Sequence, residues 1–565
     1  MKGSKEVLFG FCLSAAVWLG GENSVFQTHY STGLVGHVSM HPYPESFKTT
    51  FASPESAIYV DQTTGSDSNP GTQSRPLKTI GKAAQVAQDN YRKAVSTRII
   101  IEPGTYRESI SLSGEGASGT ASITFEAGKP RTASLSGSDL WTSWQPDSTD
   151  PGRYTHAWSS QWGACAAPQG SPPLEEIVRR REMVFVNGSL LAQALSLNGM
   201  TEGSFFVDEP GGRIYVRPPA SIDMTNAAVE VSSRARLLDV HRVSNLTLRG
   251  LLFVQANPCV SMKPAASVNI SGGSNHLIEG CSFQWNNWGG LRLDGVSDST
   301  VRDVVASHNG AIGLAGYQLK NVSYEDVEVS YNNWRGALGN VYGWDVAGAK
   351  FLRVHGASFK RFKAVANQTR GLWFDTDNSN VTVQDSYLST NQVNGIFLEA
   401  SQGPITIKDT RVCKNGAQGV LTNNAEGVSL VADLIYGNKT AQIFINGGNK
   451  SRNDHDWETR EPYTAVAHNW SLMRNTIVGT EPTQLLFEMY ESSNTSSSLF
   501  LSTLASDSNT WYNPENKKVF QIDPGGPNHS PRNLDFEQWR ANTKQDRNSS
   551  FAAPSADPAA ACLHS

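Results

Sequence analysis

DSYLSTNQVNGIFLEASQGPITIKDTRVCKNG, residues 385 to 416, carries the same punctuation twice. Asp385 is followed six residues later by Asn391, and Asp409 six residues later by Asn415, with a glycine-led apolar run, Gly395 to Leu398, between the two units. Working outward, anchors of this kind stand at Gly280, Asp303, Asp326, Asp385, Asp409 and Asp433, at steps of 23, 23, 59, 24 and 24 residues. Their Asn partners are Asn286, Asn309, Asn332, Asn391, Asn415 and, one residue early, Asn438. The 59-residue step reads as two units carrying extra loop, with Gly356 as the anchor between them. Such a period is too short for a propeller blade and lacks helical periodicity, so it describes a solenoid of short strands. Asn tolerates the left-handed backbone of a tight corner, and its amide can bond to the Asn of the next coil. No LxxLxL pattern accompanies the Asn, which excludes a leucine-rich repeat. The expected fold class is all-β, a right-handed parallel β-helix.

The flanks fit that reading. Residues 57–139 open with AIYVDQTTGSDSNPGTQSRPLKTIGKAAQVA, a strand, a polar loop and a short amphipathic helix suited to capping a solenoid, followed by first coils at RIIIEPGTY and ASITFEAG. Between 140 and 221 the repeat is lost; EMVFVNGSLL and SFFVDEPGGRIYVRPP read as hairpins of an inserted, small β-sandwich-like domain. Residues 222–450 are the central β-helix, and 451–565 the last coils, with a capping helix and tail at LDFEQWRANTKQDRNSSF. Residues 1–22 pair Lys2 and Lys5 with an apolar run from Val7 to Leu19, the pattern of a signal peptide rather than a membrane span. A secreted or periplasmic protein is expected.

Charged residues make up only 18% of the 565, and the formal net charge is −5, so there is no basic footprint for nucleic acid. Cys12, Cys165, Cys259, Cys281, Cys413 and Cys562 are scattered without CxxC or paired spacing. They read as free buried thiols and hold no zinc site; Cys259–Cys281, about one repeat apart, is the bridge the spacing leaves open. No cofactor and no catalytic metal are expected, and a structural calcium ion is not indicated.

Two glycine-led strands end in acids: Gly371-Leu-Trp-Phe-Asp375 and Gly395-Ile-Phe-Leu-Glu399. Side chains alternate along a strand, so Leu372, Phe374, Ile396 and Leu398 should point into the core while Trp373, Asp375, Phe397 and Glu399 point out. Adjacent parallel strands lie about 4.8 Å apart, which sets the two carboxylates side by side. Like charges stacked in this way cost stability. Two close carboxylates with separated pKa values are the equipment of glycoside hydrolysis, one as nucleophile and one as proton donor. Carboxyl carbons about 5 to 7 Å apart are expected, near the retaining range. The turn acids Asp303, Asp326, Asp385, Asp409 and Asp433 are assigned no chemistry. Candidate sugar-binding residues are Trp373, Asp377 two positions beyond Asp375, Asp294, Tyr317, Asn340 and Asn423 in the same column, and Trp334, Arg335, Trp344 and Asp345 in the loop of the long step. Aromatic faces suit the apolar side of a pyranose ring.

GLWFD and IFLEASQGP resemble the paired motif of the β-helical β-xylosidases of glycoside hydrolase family 120, a GIWLD-type strand and an (I/F)-x-E-x-S-H-G-P-type strand. The resemblance implies Asp375 as nucleophile, Glu399 as acid/base, and a β-sandwich inserted early in the β-helix. This chain departs from it in a gap of 24 rather than 23 and in Gln402 where the motif has His. It implies a retaining, exo-acting hydrolase of an oligosaccharide or polysaccharide. The competing classes are a polysaccharide lyase or uronate epimerase, which would need cations or calcium on an anionic substrate, and a non-catalytic glycan-binding surface protein. In the acid column only Arg292 is cationic, which favours a neutral sugar, although Lys360, Lys363 and Arg370 in the neighbouring turn keep an anionic one in play.

Overall fold

The computed structural model describes residues 55–116, 120–446, 452–490, 496–523 and 531–563; the signal peptide reading falls outside them. One sheet system of 35 strands winds through the chain, its coils paired in parallel. Leu372, Phe374, Ile396 and Leu398 are all fully buried in one continuous core, as alternation requires. The Asn column is a hydrogen-bonded ladder: Asn286, Asn309, Asn332, Asn367, Asn391 and Asn415 each donate Nδ2 to the Oδ1 of the next Asn at 2.8–3.0 Å, ending at Asn438. Each rung also satisfies a backbone carbonyl of the preceding coil, as Asn391 does with Ala364. Buried amides so paired fix the height of every coil.

The corner column needs one correction. Register pairs run Glu279, Arg302, Glu325, Lys360, Gln384, Lys408 and Val431. The residues that follow, Gly280, Asp303, Asp326, Arg361, Asp385, Asp409 and Ala432, all have φ between 49° and 64°. The anchor between Asp326 and Asp385 is therefore Arg361, not Gly356, and the long step divides into 35 and 24 residues. Arg361 takes the αL corner while bonding Asp326 through Nε and Nη2, both at 2.7 Å. Asp433 is likewise one position past the corner. Its buried carboxyl accepts from the Thr410 and Val431 amides and is pushed up to about 8 by that burial.

Two sheets, a four-stranded antiparallel one and a five-stranded one that is antiparallel except where Ala192–Gln193 joins Ser204–Asp208, interrupt the coils between the strands Ser138–Trp141 and Val229–Ser232, so the inserted strands continue past residue 221. They have their own core around Phe205, Val216 and Val231. The cysteines depart from expectation. Cys165 pairs with Cys259, tying the insert to the solenoid, and Cys413 pairs with Cys562 near the C-terminus. Partners 94 and 149 residues apart leave no spacing to read. Cys281, the partner considered for Cys259, is instead a free thiol in the core.

At the start, the helix Ile80–Arg92 covers the solenoid with Ile80, Ala83, Ala84, Ala87 and Tyr91, capped by the Thr79 hydroxyl. At the other end, the helix Phe536–Thr543 begins with a capping box between Asp535 and Gln538 and buries Trp539, whose Nε1 donates to Asp546.

Candidate active site

Asp375 ends the strand Arg370–Asp375 and is the direct register partner of Glu399, which ends Ile396–Glu399. Their outward neighbours two residues earlier, Trp373 and Phe397, form a small apolar cluster of their own with Ala347, outside the main core. Over this cluster lie two cations. The Lys350 ammonium sits 3.7 Å from the Trp373 ring centroid, and the Arg370 guanidinium 4.8 Å from the centroids of both rings. Trp373 and Phe397 are thus buried beneath cations rather than facing solvent.

The two acids have different surroundings. Asp375 Oδ2 is 3.1 Å from Lys350 Nζ, and Asp375 Oδ1 accepts from the Thr376 hydroxyl at 2.8 Å. Lys350 also reaches Asp345 at 2.9 Å. Burial disfavours the Lys350 ammonium, but Asp345 and Asp375 outweigh it and hold its pKa above the ordinary lysine value. Glu399 has a weaker partner, Arg452 at 3.6 Å. Burial, and after it the charge of Asp375, push the Glu399 carboxyl up to about 7, against the pull of Lys350, Arg452 and Arg370. One acid carries a salt bridge to a buried lysine; the other can hold a proton near neutral pH.

Arg452 arrives on a hairpin built from Arg452–His455 and Pro462–Ala465, antiparallel to each other and separate from the solenoid's sheet. Asp377, expected to face sugar, is instead fully buried under this hairpin. It accepts from Gln402 Nε2 at 2.7 Å and from the Trp457 amide at 2.7 Å, and lies 3.2 Å from His355 Nε2. His355, Asp377 and Asp456 bring potential ligand atoms within 4.8 Å of one another. Asp377 already accepts from the amides of Gln402 and Trp457, so the set is a hydrogen-bonded network as it stands.

A family model for a right-handed beta helix region matches residues 266–454, and one for proteins of unknown function matches residues 63–113. The fold is the right-handed parallel β-helix. A solved structure of XylC with xylose aligns over 83% of this chain and 88% of that one, at 15% identity and a TM-score of 0.65. A solved structure of a glycoside hydrolase covers 81% of this chain and 97% of its own at 11% identity with a TM-score of 0.44. The A-module of the Azotobacter vinelandii mannuronan C-5 epimerase AlgE6 covers 84% and 95% at 13% identity with a TM-score of 0.47. No curated protein matches the chain. Among the described residues no helix is long and apolar enough to cross a membrane.

The other expected site residues divide sharply. Asp294 and Tyr317 do share the column, as does Asn423, the register partner of Glu399. Between Tyr317 and Asp375, however, the column holds Leu352, not Asn340. Asn340 stands exposed in the loop, because the count of fourteen from Asp326 runs into the extra residues that follow Asn332 in the long coil. Trp334 donates to the His308 carbonyl at 2.9 Å. Arg335 is buried away from the acids, donating to Asn287 at 2.9 Å, to Gln193 at 2.7 Å and to the Glu182 carbonyl at 2.8 Å, so it pins the insert to the solenoid. Burial lowers its guanidinium to about 10. Trp344 packs on the cluster around Val178 and Trp288. Asp345 alone of that loop reaches the acid pair, through Lys350.

Lys350, Arg353 and the hairpin residues were missed. Arg353 reaches Tyr317 at 3.5 Å and Asp454 at 3.4 Å. The face is therefore not poor in cations: Lys350, Arg353, Arg370 and Arg452 all stand near the acids. The run RNDHDWETREPY, residues 452–463, is the signal that was available, a dense block of charge where the repeat had lapsed.

Proposed function

We propose that this chain is a secreted or periplasmic retaining glycoside hydrolase, acting at the ends of oligosaccharides or polysaccharides of a neutral sugar. The observation that carries this reading is the register pair Asp375 and Glu399, one held by Lys350 and one pushed up to about 7. Carboxyl groups about 5–5.5 Å apart suit a retaining mechanism, and neighbouring strands at about 4.8 Å favour that range. In the first step an Asp375 oxygen attacks the anomeric carbon as the glycosidic C–O bond breaks, and the Glu399 proton passes to the leaving oxygen. In the second, Glu399 takes a proton from water as that water displaces Asp375, restoring both groups.

A neutral sugar is preferred on different grounds from those available in the sequence. Three of the four cations near the pair are matched by Asp345, Asp375, Glu399 and Asp454: Lys350 lies between Asp345 and Asp375, Arg353 reaches Asp454, and Arg452 reaches Glu399 and Asp454. Arg370 lies against the Trp373 and Phe397 rings and bonds the Gly343 carbonyl. Among the described residues Arg370 alone of the four has no carboxylate within salt-bridge distance, so a uronate would meet one unmatched cation here rather than a cluster of them. Xylose is the first sugar to test, given the motif resemblance and the similarly folded XylC, whose structure holds xylose. Two disulfides fit an oxidising compartment.

Proton NMR of the first product released from an aryl β-xyloside and from xylo-oligosaccharides tests the proposal. Retention of the anomeric configuration and release of single sugars is the expected result. An inverted first product, or an unsaturated one, would replace it with an inverting hydrolase or a lyase.

A further inference from the structure

The hairpin at residues 452–465 has little apolar attachment. Most of its residues are exposed, and Ala465 is its one buried residue among those described. A two-stranded hairpin is marginal by itself in water, so its position depends on polar contacts. Those contacts converge on one imidazole. His355 Nδ1 is 2.8 Å from Glu458, its Nε2 is 3.2 Å from Asp377 and 4.0 Å from Asp456, and its ring lies 5.4 Å from that of Trp457. Asp377, two residues beyond Asp375, receives the Trp457 amide, and Tyr463 donates to the Ala400 carbonyl next to Glu399.

A neutral imidazole has one N–H, and an ionised carboxylate only accepts. With carboxylates at both ring nitrogens, the arrangement requires the imidazolium. We infer that His355 is a positioning residue: its doubly protonated ring clamps the hairpin to the coil carrying Asp375, and so holds Arg452 against Glu399. The functional half of this inference rests on the hydrolase reading; the clamp itself does not.

The groups facing His355 are Asp377 from its own side and Asp456 and Glu458 from the hairpin. Lys320 lies behind Glu458 at 2.6 Å, and Arg353, two positions before His355, reaches Asp454. Burial opposes the His355 charge, but Asp377, Glu458 and Asp456 together raise its pKa above the ordinary value. The clamp is therefore complete below the ordinary histidine pKa and is lost as pH rises through the raised one.

The test is hydrogen exchange at the amides of residues 453–464, free of substrate, with dialysed full-length protein. His355→Ala should speed exchange there about tenfold or more, the scale of a lost charge-assisted hydrogen bond. Glu458→Gln should do so less, and His355→Gln, which keeps one donor, should fall between. In the wild type, protection corrected for intrinsic rates should fall as pH is raised past neutrality, and not in His355→Ala. Because Arg452 lowers the Glu399 pKa, its departure in His355→Ala should also move the basic limb of kcat/KM to higher pH. Exchange unchanged in all three variants would overturn the clamp. So would protection that appears only with added calcium or manganese and vanishes with EDTA, which would make His355, Asp377 and Asp456 a metal site. Full activity in Asp375 and Glu399 variants would instead remove the hydrolase reading while leaving the exchange result standing.

Discussion

Asp375 and Glu399 end adjacent parallel strands as register partners, and only Asp375 has a buried lysine within salt-bridge distance. The pair is a like-charge stack that the fold does not need, since neither side chain enters the core. Its asymmetry is what the proposed hydrolysis draws on: Lys350 and the Thr376 hydroxyl hold Asp375, while burial and the Asp375 charge leave Glu399 able to keep a proton.

Asp375→Ala should abolish hydrolysis even of substrates with good leaving groups, because no glycosyl-enzyme can form. Glu399→Ala should keep partial turnover of activated aryl glycosides, where leaving-group protonation matters little, and azide should accelerate it. Steady-state rates on aryl xylosides of graded leaving-group pKa, with and without azide, check both. Exchanged phenotypes would exchange the two roles.

Glu399→Gln should make the protein more stable at pH 8 and leave it nearly unchanged at pH 4. The folded-state pKa of Glu399 is raised, so its contribution is whole below the unfolded value of about 4.3 and is lost as pH climbs through about 7. Above that, the wild type holds an ionised acid against Asp375 that glutamine removes. A gain on the order of 1–3 kcal/mol at pH 8 is expected from such a shift, measured by denaturant titration at the two pH values. An equal effect at both would mean that Glu399 is not protonated near neutrality.

The coil period and the acid pair were legible because both are written at fixed spacing in single residues. Asn309 and Asn415 announce their corners, and Gly371 and Gly395 start matching strands. Arg361 was not legible as a corner because nothing in an arginine advertises a left-handed backbone; its bond to Asp326 supports it there, and that bond exists only once the coils stack. From that miss followed the overlooked Asn367, whereas Asn340 stood for Leu352 because the count from Asp326 ran into the inserted loop. Arg335 was misread for a second reason. An arginine amid tryptophans looks the same in sequence whether it meets a sugar or plugs an interdomain joint, and only Gln193 and Glu182, some 140 to 150 residues away, decide it.

Asn391→Ala should cost about 3–5 kcal/mol, in the range of a broken buried network. Asn391 Oδ1 accepts from both the side chain and the backbone amide of Asn367, and its Nδ2 donates to Asn415 and Ala364. Alanine leaves several of these partners buried and unmatched. Asp385→Asn, at a corner where either residue tolerates positive φ, should stay within about 0.5 kcal/mol. Chemical denaturation of the two variants side by side checks the ladder against the corner; equal effects would deny the ladder its role.

Lys350→Met tests whether the lysine acts on the acids or on the sugar. The ammonium bridges Asp345 and Asp375 over the Trp373 face, and methionine keeps much of the apolar stem while removing the charge. Asp345 is half exposed and can be solvated without it, whereas among the described residues Thr376 is then the one side-chain hydrogen-bond partner left to Asp375. Loss of a preorganised charge beside a reacting group costs on the order of 10²–10³ in kcat, so glycosylation should slow by about that much. The basic limb of the pH profile should move upward, because Lys350 is the strongest of the cations lowering the Glu399 pKa. Lys350→Arg, which restores charge without the same reach, should recover part of the rate and most of the limb. If KM alone rises and the limb stays in place, Lys350 holds the substrate and Asp375 does not depend on it.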